Sequence, residues 1–168
     1  MNTLILTLYR AVVKFIPETK GFAFKRWMLR RAGATVGRNV RICSSVFIAG
    51  AGNLSIGDDS WVGHRSTIIA SGDMRIGKNV DIAPCVLITT GSHRPEPQSD
   101  RMAGEGIGLN VEVQDGCWIC ANATILPGIT VGEMSLVAAG AVVNRNVEPR
   151  TLVAGVPARL VKDYNHSN

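Results

Sequence analysis

Rings are scarce in this chain: only 5% of its 168 residues are Phe, Trp or Tyr, so the interior is not expected to be built on stacked aromatics. Four cysteines, Cys43, Cys85, Cys117 and Cys120, are too scattered for a disulfide framework. Cys117-x-x-Cys120 resembles half a metal site but has no second pair. The expectation is buried small thiols in a reducing cytosol, with Cys117 turned inward and Cys120 at a corner. Histidine is rarer still. His64, His93 and His166 lack ligand spacing, so no metal is expected. Long apolar runs are missing too: Met1–Ile16 carries Arg10 and Lys14 and stops at Pro17, short of the roughly 20 residues of a membrane span. It has neither a basic start nor a small-residue cleavage site, so no secretory signal is expected.

What the chain does have is a beat of six. Val36, Ile42 and Ile48 are followed by Ile56, Val62 and Ile68, then Ile76, Ile82 and Ile88. Val113, Ile119, Ile125, Val131, Val137 and Val143 complete the series. A 3.6-residue period would drift off this register within two turns, which excludes helix over residues 36–143. Hexapeptide periodicity is the mark of a parallel β-helix. Two residues before the anchors stand small or aliphatic side chains (Ser60, Ser66, Val80, Val86, Cys117, Ala123, Ser135, Ala141), which alternation turns inward with them. Gly or Ala after most anchors, often with Asp or Asn following, suits tight or left-handed corners. Three strands and three corners close a coil in 18 residues, giving about five coils in one all-β domain. Outward Leu87, Trp118, Leu136 and Val142 are too apolar for a solvated wall and predict a homo-oligomer.

The ends depart from the beat. Residues 1–35 predict two short helices, within Met1–Ile16 and over Phe22–Arg31, the second studded with Lys25, Arg26, Arg30 and Arg31. Residues 1–41 hold nine basic residues and one acidic, net +8; the remainder holds nine and twelve, net −3, which together give the chain's +5. Two readings stand: a helical cap over the open end of the solenoid, or an arm facing an anionic inner membrane. With no reading motif beside this basic arm, nucleic acid is not an expected partner. The division is therefore 1–35 cap or arm, 36–155 β-helix with a loop at 94–110, and 156–168 tail.

The beat breaks once. After Ile88 comes Thr89-Thr90-Gly91-Ser92-His93-Arg94-Pro95-Glu96-Pro97, then polar, Gly-rich sequence to Gly108. Long loops in compact domains are functional or disordered. His93 stands at an outward position on the way into it, where an imidazole can take a proton near neutral pH.

These features resemble the hexapeptide-repeat acyltransferases. The resemblance rests on the repeat, the broken coil with its His, and Leu126-Pro127-Gly128-Ile129-Thr130-Val131-Gly132 followed by Ala154-Gly155-Val156-Pro157-Ala158-Arg159. It is similar to maltose and galactoside acetyltransferases. Through Thr90-Gly91-Ser92-His93 and Arg31-Ala32-Gly33-Ala34-Thr35-Val36-Gly37 it is also similar to O-acetyltransferases of bacterial exopolysaccharides such as colanic acid. The resemblance implies a left-handed β-helix assembled as a homotrimer, with acetyl-CoA as donor and a saccharide as acceptor. The family's catalytic His falls on His93. Its active-site indole falls on Trp118, and its CoA-contacting positions on Ala121, Ala139, Asn144, Arg145, Arg159 and Lys162. The galactoside enzymes' acceptor Asn falls on Gly63 and their second acceptor carboxylate on Ser71, which favours the exopolysaccharide branch.

The expected chemistry is direct transfer, with His93 taking the proton of a sugar hydroxyl as its oxygen attacks the thioester. Ordinary surface charge is the plainer reading of Arg145, Arg159 and Lys162, and subunit packing that of Trp118. Other readings on this scaffold are N-acetylation of an amino sugar, and O-acetylation of serine or a xenobiotic. A zinc enzyme of the γ-carbonic-anhydrase type and a non-enzymatic scaffold fit less well.

Overall fold

The computed structural model describes residues 1–165; His166 lies outside the described residues. All fifteen anchors are buried, and so are all eight of the inward residues two before them. They stack in three columns. Val36, Ile56, Ile76, Val113 and Val131 pair in parallel on the first face. Ile42, Val62, Ile82, Ile119 and Val137 do so on the second. Ile48, Ile68, Ile88, Ile125 and Val143 form the third. Like stacks on like because each coil presents a β-branched side chain, Val or Ile, at the same height.

The expected 18-residue coil holds only late in the chain. Val36 pairs with Ile56 and Ile56 with Ile76, a rise of 20 residues per turn. The corner after Ile48 or Ile68 is longer there, as in Ala49-Gly50-Ala51-Gly52. The 18-residue length appears in the steps from Val113 to Val131, Ile119 to Val137 and Ile125 to Val143. A partial sixth turn, Thr151–Ala154, stacks Val153 on Val137, and Arg159–Asp163 folds back antiparallel on it.

The corners obey a sharper rule than expected. The left-handed residue is the third after the anchor: Asn39, Asp59, Asn79 and Gly116 at one corner, Arg65, Cys85, Asn122 and Gly140 at the next. Glycine directly after the anchor serves another purpose. A Cβ on Gly57 would lie 2.6 Å from the carbonyl carbon of Gly77, and one on Gly132 2.5 Å from Pro149 N, so these glycines let coils approach. The rule corrects the expectation for cysteine: Cys43 and Cys117 are buried, but Cys85 occupies a left-handed corner and is exposed.

Inward polar atoms are satisfied by the neighbouring coil. Ser60 Oγ donates to Gly77 O at 2.8 Å, Ser135 Oγ to Glu148 O at 2.7 Å, and Cys117 Sγ to Gly132 O at 3.0 Å. Burial pushes the Cys117 thiol up from 9.0 to about 11. The fold thus favours the neutral thiol: that stability is complete below pH 9.0 and declines as pH rises toward 11, since the unfolded chain ionises first. The slope is at most about 1.4 kcal/mol per pH unit. Cys117→Ser should keep neutral-pH stability, its hydroxyl reproducing the Ser60 and Ser135 bonds, and should flatten the decline. Denaturant midpoints across pH 9.0–11 check this. Tyr9, pushed up from 10.0 by burial and without a hydrogen-bond partner for its hydroxyl among the described residues, leaves a residual slope above that pH.

Two helices close the first coil. Helix α1 (Thr3–Val13) is capped by Asn2, whose side chain accepts from the N–H groups of Leu4 and Ile5. Helix α2 (Phe22–Arg31) begins after left-handed Gly21. Leu6, Tyr9, Val13, Met28 and Leu29 are buried and join the core of the solenoid. Lys25 departs from its expected place on a charged surface. It is fully buried, its ammonium donating to Glu18 O and Ile42 O at 2.9 Å each, which ties the inter-helix turn to the second face. Among the described residues, no helix is long and apolar enough to cross a membrane.

Candidate active site

The broken coil is a β-hairpin. Gly91–Pro95 pairs antiparallel with Ala103–Gly108, His93 opposite Gly106, with a bulge between His93 and Pro95. Its root is fixed by buried Thr90, whose Oγ1 accepts from Gly72 N at 2.8 Å and donates to Ile69 O at 3.2 Å. Leu109 N closes the base onto Thr90 O at 2.7 Å. The insertion thus leaves and re-enters the wall at one rigid point.

His93 Nδ1 lies 2.8 Å from Gly104 O. A carbonyl only accepts, so Nδ1 carries the proton when the ring is neutral and Nε2 holds the free lone pair. Gly106, opposite His93 in the hairpin, sets no side chain against the ring: a Cβ there would sit 3.9 Å from Cε1. The cavity here, about 400 Å3, is lined by Ser71, Gly91, Ser92, His93, Gly106, Ile107 and Gly108. Ser71, one of the two acceptor-side positions considered in the sequence, lines the His93 cavity. Neither serine hydrogen-bonds to the ring among the described residues.

The other candidate positions lie elsewhere on the protomer. Trp118 is exposed on the second face, stacked between Asp81 and Leu136. Ala121 and Ala139 share one corner, Gly140 N bonding Ala121 O at 2.9 Å. Asn144 and Arg145 are exposed after the last strand of the third face. Arg145 and Arg159 line one cleft of about 400 Å3 with Val147, Thr151 and Val153. Lys162 pairs with Leu152 and extends its ammonium over the Tyr164 ring at 4.9 Å. None of these seven residues lines the His93 cavity.

A second cluster was not expected. Glu18, Cys43 and His64 bring ligand atoms within 4.8 Å of one another, with His64 Nδ1 3.4 Å from Glu18 Oε2. Burial, then the Glu18 charge, pushes the Cys43 thiol up, away from the thiolate that a metal requires. The Lys25 ammonium already supplies positive charge there. Structural tethering accounts for the cluster.

A family model, the hexapeptide repeat of succinyl-transferase, matches residues 107–145. The galactoside O-acetyltransferase of Escherichia coli K12 is 30% identical over 138 residues, 82% of this chain and 68% of that protein. The chain belongs to the hexapeptide-repeat acetyltransferases. Its solenoid is the left-handed parallel β-helix of that family. A putative colanic acid biosynthesis acetyltransferase of the same organism is 28% identical over 142 residues, 84% of this chain and 76% of that protein. A hexapeptide-repeat acetyltransferase of Vibrio cholerae, crystallised with acetyl coenzyme A, is 25% identical, with a TM-score of 0.62 over 96% of this chain and 86% of that one. Two putative yeast acetyltransferases are longer, the chain spanning 53% and 56% of them.

The sequence pointed to His93 but not to the Gly104 carbonyl that holds its ring. Backbone acceptors have no residue signature, and this one depends on the register of a hairpin that the six-residue beat does not describe.

Proposed function

We propose that this acetyltransferase moves the acetyl group of acetyl-CoA to a sugar hydroxyl of a surface polysaccharide or its precursor, with His93 as general base. The observation that carries the reading is the Gly104 carbonyl at Nδ1, which leaves the lone pair on Nε2 of a histidine that lines an open cavity. The hydroxyl proton passes to Nε2 as the oxygen attacks the thioester carbonyl. Backbone N–H groups stabilise the tetrahedral oxyanion. Collapse breaks the C–S bond, and the imidazolium returns its proton to the departing sulfur. Similarity to the colanic acid protein, together with Gly63 and Ser71 where galactoside enzymes carry acceptor-binding groups, supports the polysaccharide branch.

Acetyl-CoA would run along Trp118, Ala121 and Ala139 toward Asn144, Arg145, Arg159 and Lys162, its phosphates meeting the cations. Since none of these positions lines the His93 cavity, the complete site needs a neighbouring protomer, and a homotrimer provides three. CoA-thiol release from acetyl-CoA, assayed over sugars, nucleotide sugars and serine, tests the reading. Turnover with saccharides bearing free hydroxyls is expected. Turnover confined to amino sugars would replace it with N-acetylation.

The Arg145→Ala/Arg159→Ala variant should raise the KM for acetyl-CoA by about tenfold per arginine, the scale of a charge-assisted hydrogen bond. Little change in kcat is expected, because the nucleotide end binds equally in ground and transition states. Steady-state kinetics with acetyl-CoA and its dephospho form would show the loss concentrated on the phosphorylated donor.

A further inference from the structure

Helix α1 is apolar on two opposite sides. Leu6, Tyr9 and Val13 are buried against the first coil. At about 100° per residue, Leu4, Leu8 and Ala11 gather on the line opposite them, and Phe15 follows in the turn just past the helix, its N–H bonding Val12 O. There Leu4 is 80% exposed, Leu8 56% and Phe15 90%. A surface helix with one core face ordinarily presents polar residues on the other. Here the polar side chains, Thr3, Thr7, Arg10 and Lys14, are confined to one flank between the two stripes. Nearby on α2, Phe24 and Trp27 stack at 5.9 Å, both exposed, with Arg31 over the indole at 5.8 Å.

Charge decides what can cover the stripe. Nine basic residues and one acidic lie within residues 1–41, and that acid, Glu18, is held by Ser45 and His64. Helix α1 and the residue after it carry Arg10 and Lys14 and no acid, so a second copy of the same face would set cation against cation, which opposes homotypic packing. An anionic bilayer instead offers apolar volume to the leucines and phenylalanine and negative headgroups to the cations. At 11 residues, α1 is about 16 Å long, so it fits in the interfacial plane and not across the membrane.

We propose that α1 docks the protein on an anionic lipid surface, with Leu4, Leu8 and Phe15 entering the acyl boundary and Lys14 and Arg10 lying at the headgroups. This inference stands apart from the chemistry assigned to His93. Flotation of the full-length protein with phosphatidylcholine vesicles, with and without phosphatidylglycerol, tests it. Recovery with the anionic vesicles, falling with salt, is expected, with little recovery on phosphatidylcholine alone. Leu4→Ser/Leu8→Ser/Phe15→Ser should reduce the vesicle-bound fraction at least roughly tenfold, given the transfer free energy of even one buried side chain. The mass by light scattering and turnover on a soluble acceptor should stay unchanged. Lys14→Glu, on an exposed position, should weaken only the anionic-vesicle binding. Equal flotation of wild type and triple variant would overturn the proposal, as would absence of wild-type flotation. A change of oligomeric mass in the triple variant would overturn it too, assigning the stripe to a subunit contact.

Discussion

His93→Ala is expected to lower acetyl transfer by roughly 10²–10⁴-fold, the usual contribution of a positioned general base, with the solenoid unaltered. The imidazole stands outside the stacked columns, on a hairpin whose attachment runs through Thr90 and Leu109, so its removal takes nothing from the core. The expected signature is therefore specific. Melting behaviour and oligomeric mass match wild type, acetyl-CoA binding by calorimetry is retained, and kcat falls while the KM for the donor changes little. A sugar hydroxyl is too weak an acid to displace a thiolate unaided. The base is what the transition state requires, while the ground state does not. Ser71 and Ser92 share the cavity but neither is hydrogen-bonded to the ring among the described residues, which favours transfer in a ternary complex over an acyl-serine. Wild-type-like turnover in His93→Ala would end the general-base assignment. Trapping of an acetylated Ser92 by mass spectrometry would replace direct transfer with a two-step path.

How far the sequence led can be seen residue by residue. The fifteen anchors were legible because a six-residue period is incompatible with helix, and each anchor stacks on its own kind in the next coil. The break at His93 was legible because a long polar stretch interrupts a strict repeat. What escaped depends on tertiary register. Lys25 reads as surface charge on a basic helix. Its burial follows from where α2 meets the second face, and from carbonyls of Glu18 and Ile42 that no pattern marks. The fold-back of Arg159–Asp163 carries no beat, since an antiparallel end strand has no next coil to match. The left-handed corner position was hidden in plain sight. Asn and Asp fill it at Asn39, Asp59, Asn79 and Asn122, but Arg65, Cys85, Met134 and Arg150 hold the same backbone against their own preference. There the stacked coils override local propensity.

Gly50→Ala should be among the most destabilising single substitutions in the chain. Gly50 has φ +106, and a Cβ there would lie 2.1 Å from Ala70 O and 2.4 Å from its carbonyl carbon. Neither obstacle can rotate away, because Ala70 belongs to the backbone of the next coil and bonds Ala49 O through its own N–H at 2.8 Å. Backbone strain of about 1–3 kcal/mol adds to overpacking of about 1–3 kcal/mol, so a loss of roughly 3–5 kcal/mol is expected. Gly140→Ala separates the two contributions. Gly140 also has positive φ, at +71, but its Cβ would meet nothing within 4 Å, so it should show the strain alone. Urea midpoints of the two variants give the difference directly, and equal losses would show that the corner relaxes around the new methyl. The corner that Gly50 touches continues from Ala70 into Ser71, which lines the His93 cavity. Gly50→Ala should therefore also depress acetyl transfer under conditions where the protein is still folded, whereas Gly140→Ala should leave the acceptor KM unchanged. That pairing ties a glycine two coils away from the base to the geometry of the acceptor cleft, through nothing but the spacing of stacked backbones.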